Sequence, residues 1–491
     1  MAYQQIDLTP RARQTLLAEA IASVEKELEL PEAFPPEVLA DAERAVAEQP
    51  LPPKDLTGVA FVTIDPPGST DLDQAVQIER DGDGYTVRYA IADVPSFVAE
   101  GGPLDAETLR RGQTLYLPDR RIPLHPEIIS ERAGSLLPGR RRSAYVWTFA
   151  LDAVGAVVAT GLERAVVESR EQLDYASAQA AIDAGGAPDT LQLLREVGLR
   201  RIALEHERGG ASLRLPQQEV EVDDAGDYRL VARAPLPVED WNAQISLLTG
   251  MEAARIMIEG GVGILRTMPA PDGHGERQFR LQASALGHEW RRDVHYGDFL
   301  RSLDVSDPRQ MALMYAATSL FRGADYTPFD GEPPAETVQA AIAAPYAHTT
   351  APLRRLVDRF VLVVCEHLGR GVPVPEGIRA ALPLLPGAMR ASNQISGRLE
   401  RAAVDAVEAA LLHGRVGERF EGVVVDGPTP EQAGKARNSG RPPSGTVQIT
   451  EPSISARVEG HVEVGAAVTV ELVRADIVEH TVLFRVVDGR S

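Results

Sequence analysis

The sequence has one cysteine, Cys365, in 491 residues. A single thiol closes no internal disulfide, which argues against a cystine-stapled secreted scaffold and fits a reducing cytoplasm. Cys365 follows the apolar run Val361-Leu362-Val363-Val364, and the ordinary expectation there is a small buried hydrophobe. No apolar run reaches the roughly 18–20 residues that cross a bilayer, so no membrane span is expected. Met1 to Leu8 lacks a basic start followed by an apolar core, so no secretory signal is read there. Aromatics are few, at 5%. Positive charge is short as well: 50 Lys and Arg face 71 Asp and Glu, for a net charge of −21. That argues against a protein that coats nucleic acid by bulk electrostatics. It leaves room for local clusters of either sign within an acidic chain. The arginines do cluster, as Arg110-Arg111, Arg120-Arg121, Arg140-Arg141-Arg142, Arg291-Arg292 and Arg354-Arg355.

Hydrophobic residues at 44% and charged residues at 25% are ordinary for a soluble globular chain, and the length suits about three domains. Residues 1–50 read as a helical domain, with Leu16, Leu17, Ile21, Val24 and Leu28 near helical spacing. Its 4 basic and 10 acidic residues make a poor clamp for any polyanion. From Leu56 the pattern turns to short, β-branched strands at Val59 to Ile64, Ala75 to Ile78 and Tyr85 to Ile91. Helical patterns follow, including Trp241 to Glu259 and Leu353 to Leu368. Strands followed by helices predict one large α+β domain over 51–413. Strands return over 414–491 in the manner of a small OB-type β-barrel. Asp426 to Ser444, polar and rich in Gly and Pro, reads as a long loop within it.

The most informative segment is Thr63-Ile64-Asp65-Pro66-Pro67-Gly68-Ser69-Thr70-Asp71-Leu72-Asp73-Gln74. Asp65 ends an apolar strand, and Pro66-Pro67-Gly68 turns the chain. Asp71 and Asp73 are expected to open the next strand and to project the same way. Asp65 comes near them if the strands pair. Three carboxylates without a basic partner repel one another unless a cation sits between them. Hard oxygen ligands suit Mg²⁺ or Mn²⁺ rather than zinc, and such ions suit phosphodiester hydrolysis. Aspartates beside turns are also commonplace, so spacing alone leaves both readings open.

Further motifs stand in order behind this segment: Ala90-Ile91-Ala92-Asp93-Val94, Tyr116-Leu117-Pro118-Asp119-Arg120-Arg121-Ile122-Pro123-Leu124, and Tyr346-Ala347-His348-Thr349-Thr350-Ala351-Pro352-Leu353-Arg354-Arg355-Leu356-Val357-Asp358. Together they resemble the ribonuclease II, or RNB, family across about 59–410. The resemblance implies a hydrolytic 3′-to-5′ exoribonuclease on single-stranded RNA, with Mg²⁺ as cofactor and nucleoside 5′-monophosphates as products. It implies metal ligands at Asp65, Asp71 and Asp73, with Asp73, Asp71 and Arg354 as the catalytic set. It places Arg354 at the scissile phosphate and Tyr116 in a stack on the 3′-terminal base. By spacing, Arg354 equally suits an ion pair with Asp358 one helical turn on. Arg120 and Arg355 are candidate RNA contacts. So are His348, which also suits ordinary packing, and Arg437 and Arg441 in the long loop. No protein partner is read from the sequence, and a monomer is expected.

The chain also departs from the family pattern. Gln74 stands where a fourth aspartate is usual; its carbonyl oxygen is a weak candidate ligand without charge. Leu356 replaces a tyrosine, and Val404 lies near an expected glutamate. A degenerate RNA-binding member without catalysis is therefore the alternative. About 50 residues precede the large domain where relatives carry cold-shock-type barrels. The terminal barrel has no Phe, Trp or Tyr from Glu421 to Leu483. Both features predict a more open entrance that tolerates nearby duplex.

Overall fold

The computed structural model describes the chain except at residues 1–3, 8–10, 29, 32, 118–119, 212–216, 223–227, 234, 305–306, 428–443, 450–453, 461–462 and 488–491. The candidate loop residues Arg437 and Arg441 lie outside the described residues.

Five strands close a barrel: β1 (Phe61–Asp65), β2 (Gln74–Asp81), β3 (Gly84–Ala92), β4 (Arg141–Leu151) and β5 (Val157–Asp174). Neighbours run antiparallel in sequence order, and β5 returns parallel to β1. Side chains alternate along each strand, and the two faces carry different sizes. Inside lie small residues, Ala75, Ala90, Ala92, Ala144 and Ala165, packed with Phe61 and Val146. Outside, Tyr85, Tyr89, Tyr145, Trp147 and Phe149 carry the larger core. A five-stranded barrel is too narrow for large side chains throughout its interior. Two helices cover that aromatic face, α3 (Pro237–Gly260) and α4 (Leu356–Gly369), which contribute Trp241, Ile245, Phe360 and Val361. Cys365 on α4 is fully buried, as its apolar run implied.

The amino-terminal segment forms α1 (Arg11–Glu27) and α2 (Pro36–Glu48). Residues Gln4–Asp7 add a strand absent from the helical reading; it pairs with Tyr228–Arg233, more than 200 residues away. At the other end α5 (Leu385–Leu412) leads into a second closed barrel. Its strands are Arg419–Asp426, Ser444–Ile449, Ile454–Glu459, Ala467–Asp476 and Thr481–Val486. Phe420 and Phe484, which flank its aromatic-free stretch, are both buried and meet edge to face. Leu17, Ala20 and Ile21 of α1 join the same apolar cluster as the end of α5 and this barrel. The overall class is mixed helix and sheet with a terminal OB-type barrel. Among the described residues no helix is long and apolar enough to cross a membrane.

Glu408 on α5 is buried in that cluster's margin, 4% exposed. Burial pushes its carboxyl up to about 8; Asp405 adds to the rise and a backbone hydrogen bond with Ser455 opposes it. A raised carboxylate favours the fold while the group is protonated in both states. That contribution is lost as pH climbs from the unfolded value near 4.5 through 8. Glu408→Gln is therefore expected to raise the melting temperature at pH 9 and leave it unchanged at pH 4. Thermal melts at the two pH values check this.

Candidate active site

The acidic segment reaches the barrel end through a turn and an anchor. Pro66-Pro67-Gly68 reverses the chain after β1, with Gly68 at φ 76°, a conformation glycine adopts without steric cost. Leu72 is fully buried in the barrel interior. Its N–H donates to Ser135 Oγ at 2.9 Å, and Ser135 donates to the Thr70 carbonyl at 2.7 Å. Leu353 is fully buried in the same cluster. These two leucines plug the barrel, and the polar residues beside them, Asp71, Asp73 and Arg354, are thereby brought to one end.

Asp73 and Arg354 meet directly. Asp73 Oδ1 accepts the Leu353 N–H at 2.7 Å, and Oδ2 lies 3.2 Å from Arg354 Nε. Asp73 is 2% exposed, whereas the Arg354 side chain is 48% exposed. The loop carrying Arg354 is pinned from several sides. Thr114 N–H donates to the Arg354 carbonyl at 2.9 Å, Leu356 N–H to the Gly112 carbonyl at 3.0 Å, and His125 Nδ1 lies 3.0 Å from the Leu353 carbonyl. Burial drives the pKa of His125 down to about 3, so the ring is neutral and Nδ1–H donates. Gly250 of α3 permits the close approach of this segment: a Cβ there would fall 2.1 Å from Tyr346.

β2 begins only at Gln74, so Asp71 and Asp73 both precede the paired strand, and strand alternation does not govern them. With Leu72 fixed inward, Asp71 turns to a short hairpin made by Leu115–Tyr116 and Arg121–Ile122. Arg121 Nη1 donates to it at 2.7 Å and the Tyr116 hydroxyl at 3.2 Å. The expectation of carboxylates without a basic partner is thus corrected, because Arg354 and Arg121 each take one. Arg121 was not among the candidate residues. Its signal was present in the arginine pair, but the choice between Arg120 and Arg121 needed the hairpin register.

Asp65 completes the neighbourhood. Its carboxyl is pushed up to about 6 by burial; Arg354 opposes the rise and the charge of Asp71 adds to it. Burial likewise raises Asp73 well above the usual carboxylate range, against Arg354 and the Leu353 N–H. Asp65 Oδ2 and Asp73 Oδ2 are buried without a hydrogen bond. Among the described residues, however, no group of three or more His, Cys, Asp or Glu side chains is arranged to hold a metal ion. Asp71, held by Arg121, adds its charge to the fields at both Asp65 and Asp73. The donor chemistry still fits a divalent cation: two buried carboxylate oxygens lack hydrogen bonds, and three acids share one electrostatic field.

Other candidates are reassigned. Gln74 is not a free ligand: its carbonyl accepts the Tyr89 hydroxyl at 2.7 Å and its amide donates to the Thr350 carbonyl at 2.7 Å. It ties the barrel to the loop that carries Arg354. Gln74→Leu is expected to speed hydrogen exchange at the Arg354–Leu356 amides and to cost ~10-fold in turnover, the scale of lost orienting partners. Exchange rates and kcat measured on the same preparation check this. Arg355, rather than Arg354, pairs with Asp358. It caps α4 in an extended conformation, and its Nη2 donates to Asp358 Oδ1 at 2.7 Å. That guanidinium is tied to the first turn of α4. His348 lies 2.7 Å from the Tyr326 hydroxyl and is held neutral by burial, so it is a packing histidine. Arg120 is exposed and meets Glu25 of α1. Tyr116 is 53% exposed, with its ring edge at the acidic segment. Asp93 is fully buried against Arg164, whose Nε lies at 3.0 Å, and acts structurally.

A closed barrel plugged by two leucines, with buried acids and a half-exposed arginine at its end, is the frame of the site. The RNB domain matches residues 53–369, and the RNase II-type exonuclease C-terminal S1 domain matches residues 418–487. The chain belongs to the RNB family. It is 26% identical to ribonuclease R of Aquifex aeolicus over 427 residues, covering 83% of this chain and 60% of that protein. It is 29% identical to the exosome complex exonuclease RRP44 homolog A of Arabidopsis thaliana over 328 residues, 63% of this chain and 34% of that protein. The chain thus spans less than two thirds of these relatives. Its fold matches RNase R of Mycoplasma genitalium in the apo form, with TM-score 0.83 at 17% identity, over 96% of this chain and 78% of that one. It also resembles yeast Ssd1, described as a pseudonuclease, with TM-score 0.68 at 16% identity, over 90% of this chain and 56% of that one.

Proposed function

We propose that the chain is a hydrolytic 3′-to-5′ exoribonuclease that degrades single-stranded RNA to nucleoside 5′-monophosphates with Mg²⁺, replaceable by Mn²⁺. The observation that carries this reading is the contact of Asp73 with the Leu353–Arg354 pair across 280 residues of sequence. It sets a buried acid beside a half-exposed guanidinium. Asp65, Asp71 and Asp73 are the residues that would hold the metal. When bound, such an ion supplies Lewis-acid stabilisation of the phosphodiester and a more acidic attacking water.

The chain's own groups do the rest. Arg354, oriented by Asp73, keeps N–H donors free for phosphoryl oxygens, where negative charge builds during transfer. The exposed Tyr116 ring offers a stacking face for a terminal base, worth ~1–3 kcal/mol without sequence preference. Residues 51–413 form the catalytic unit, and the barrel of 414–491 holds RNA by phosphate contact, because its flanking phenylalanines face inward.

The reading is tested with 5′-labelled single-stranded RNA, with and without EDTA. A metal-dependent ladder supports it, and intact RNA at high protein concentration overturns it. The second reading, RNA binding without cleavage, has specific support in the committed Gln74 and the Arg121–Asp71 pair. Tolerance of nearby duplex belongs to the main reading; Mycoplasma RNase R has been solved with double-stranded RNA. A hairpin with a short 3′ tail is expected to be digested into the stem, and stalling well before the stem contradicts this part.

A further inference from the structure

A second pocket gathers three arginines and two amide side chains. Val262–Thr267 and Asp325–Asp330 pair as an antiparallel ribbon beside α5. Between them lies a cavity of about 650 Å³, walled by Arg266, Asp325, Arg390, Asn393, Gln394 and Arg401. Asn393, Gln394 and Arg401 lie three, four and eleven residues beyond Arg390, which places the four along one helix face. Gly397 keeps that face open: a Cβ there would come within 3.3 Å of Arg401 Nη1. Arg266 is held in place by stacking, its guanidinium carbon 4.6 Å from the Tyr326 ring centre. Asp325 pairs with Arg390.

Three guanidinium groups therefore share a cavity with one carboxylate, in a chain of net charge −21. Like charges gathered in this way repel, and an anion relieves the repulsion. Arginine forks suit phosphate in particular, since paired N–H donors match its oxygens. The volume lies within the roughly 300–1,000 Å³ of small-molecule sites. The pocket is separate from the Asp73–Arg354 contact but mechanically joined to it. Arg266 N–H donates to the Tyr346 carbonyl at 2.8 Å, at the head of the segment that carries Arg354. Across α5, the Ser392 carbonyl accepts from Gln113 at 3.2 Å.

We propose that this pocket binds the phosphate of a nucleotide, either a backbone phosphate of the RNA strand or a free nucleoside 5′-monophosphate. The proposal rests on the RNA reading above. Binding is measured in EDTA for wild type, Arg401→Glu and the Arg266→Ala/Arg401→Ala double variant. The probes are a single-stranded oligoribonucleotide and adenosine 5′-monophosphate. Arg401 is exposed, so its reversal leaves the fold intact, and melting curves verify this for both variants. If the source is the strand, the double variant loses at least tenfold in oligonucleotide affinity. Its slope of log affinity against log salt also becomes shallower by about 0.7, the value for one phosphate on a single strand. If the source is the mononucleotide, its affinity falls at least tenfold and the salt slope for RNA stays. Wild-type affinity for both probes in folded variants overturns the pocket alone. A wild type that binds no RNA overturns the RNA reading on which the pocket rests.

Discussion

Asp73→Asn is expected to reduce RNA hydrolysis by at least ~10³-fold while leaving the protein folded and able to bind RNA. Asp73 combines burial, a hydrogen bond from Leu353 N–H, and contact with Arg354. An asparagine oxygen preserves the first hydrogen bond, so the loop stays in place. What is lost is the negative charge that pairs with Arg354 and that would serve a divalent cation in the proposed reaction. A drop in turnover with RNA affinity kept within a few-fold is the expected pattern. Equal losses in both, with a lowered melting temperature, point instead to a structural role.

Arg354→Ala is the second large effect, a loss of about 10³-fold in kcat. The side chain is half exposed and its removal opens no core cavity, so stability is expected to change little. Arg354→Lys is expected to recover only part of the rate, because an ammonium lacks the planar pair of donors that fits phosphate oxygens. Single-turnover rates at saturating RNA separate this from weakened binding. Full activity in the lysine variant contradicts an oriented guanidinium and leaves only a requirement for positive charge.

The sequence disclosed which segments matter more readily than which atoms touch. The acidic segment and the arginine motif were legible from residue order, and the leucines that join them sit inside both motifs. The first three strands were legible from their alternation and β-branched residues, but barrel closure was not, because it pairs Phe61–Asp65 with the distant Val157–Asp174. Partner choice was not. Arg354 and Arg355 both lie within helical reach of Asp358, and the extended backbone at Arg355 gives that contact to Arg355. Asp71 and Asp73 were read with strand alternation, but the strand begins one residue after Asp73. Gln74 was read as a departure at a metal position. Its hydrogen bonds run instead to Tyr89 and Thr350, which no local pattern reveals.

Arg121 is the most consequential addition to the site. It holds Asp71 and also reaches Glu131 at 2.6 Å, so the hairpin carrying Tyr116 is fastened to the acidic segment. Tyr116 is thereby placed beside the same carboxylates that would hold an ion.

The most direct measurement is anomalous diffraction from crystals soaked in Mn²⁺ with single-stranded RNA bound. A manganese peak contacting Asp65 and Asp73, with the Arg354 guanidinium turned to the adjoining phosphate, is the expected result. RNA seated at this end of the barrel with no peak at those carboxylates, or with Arg354 turned away from the strand, contradicts it.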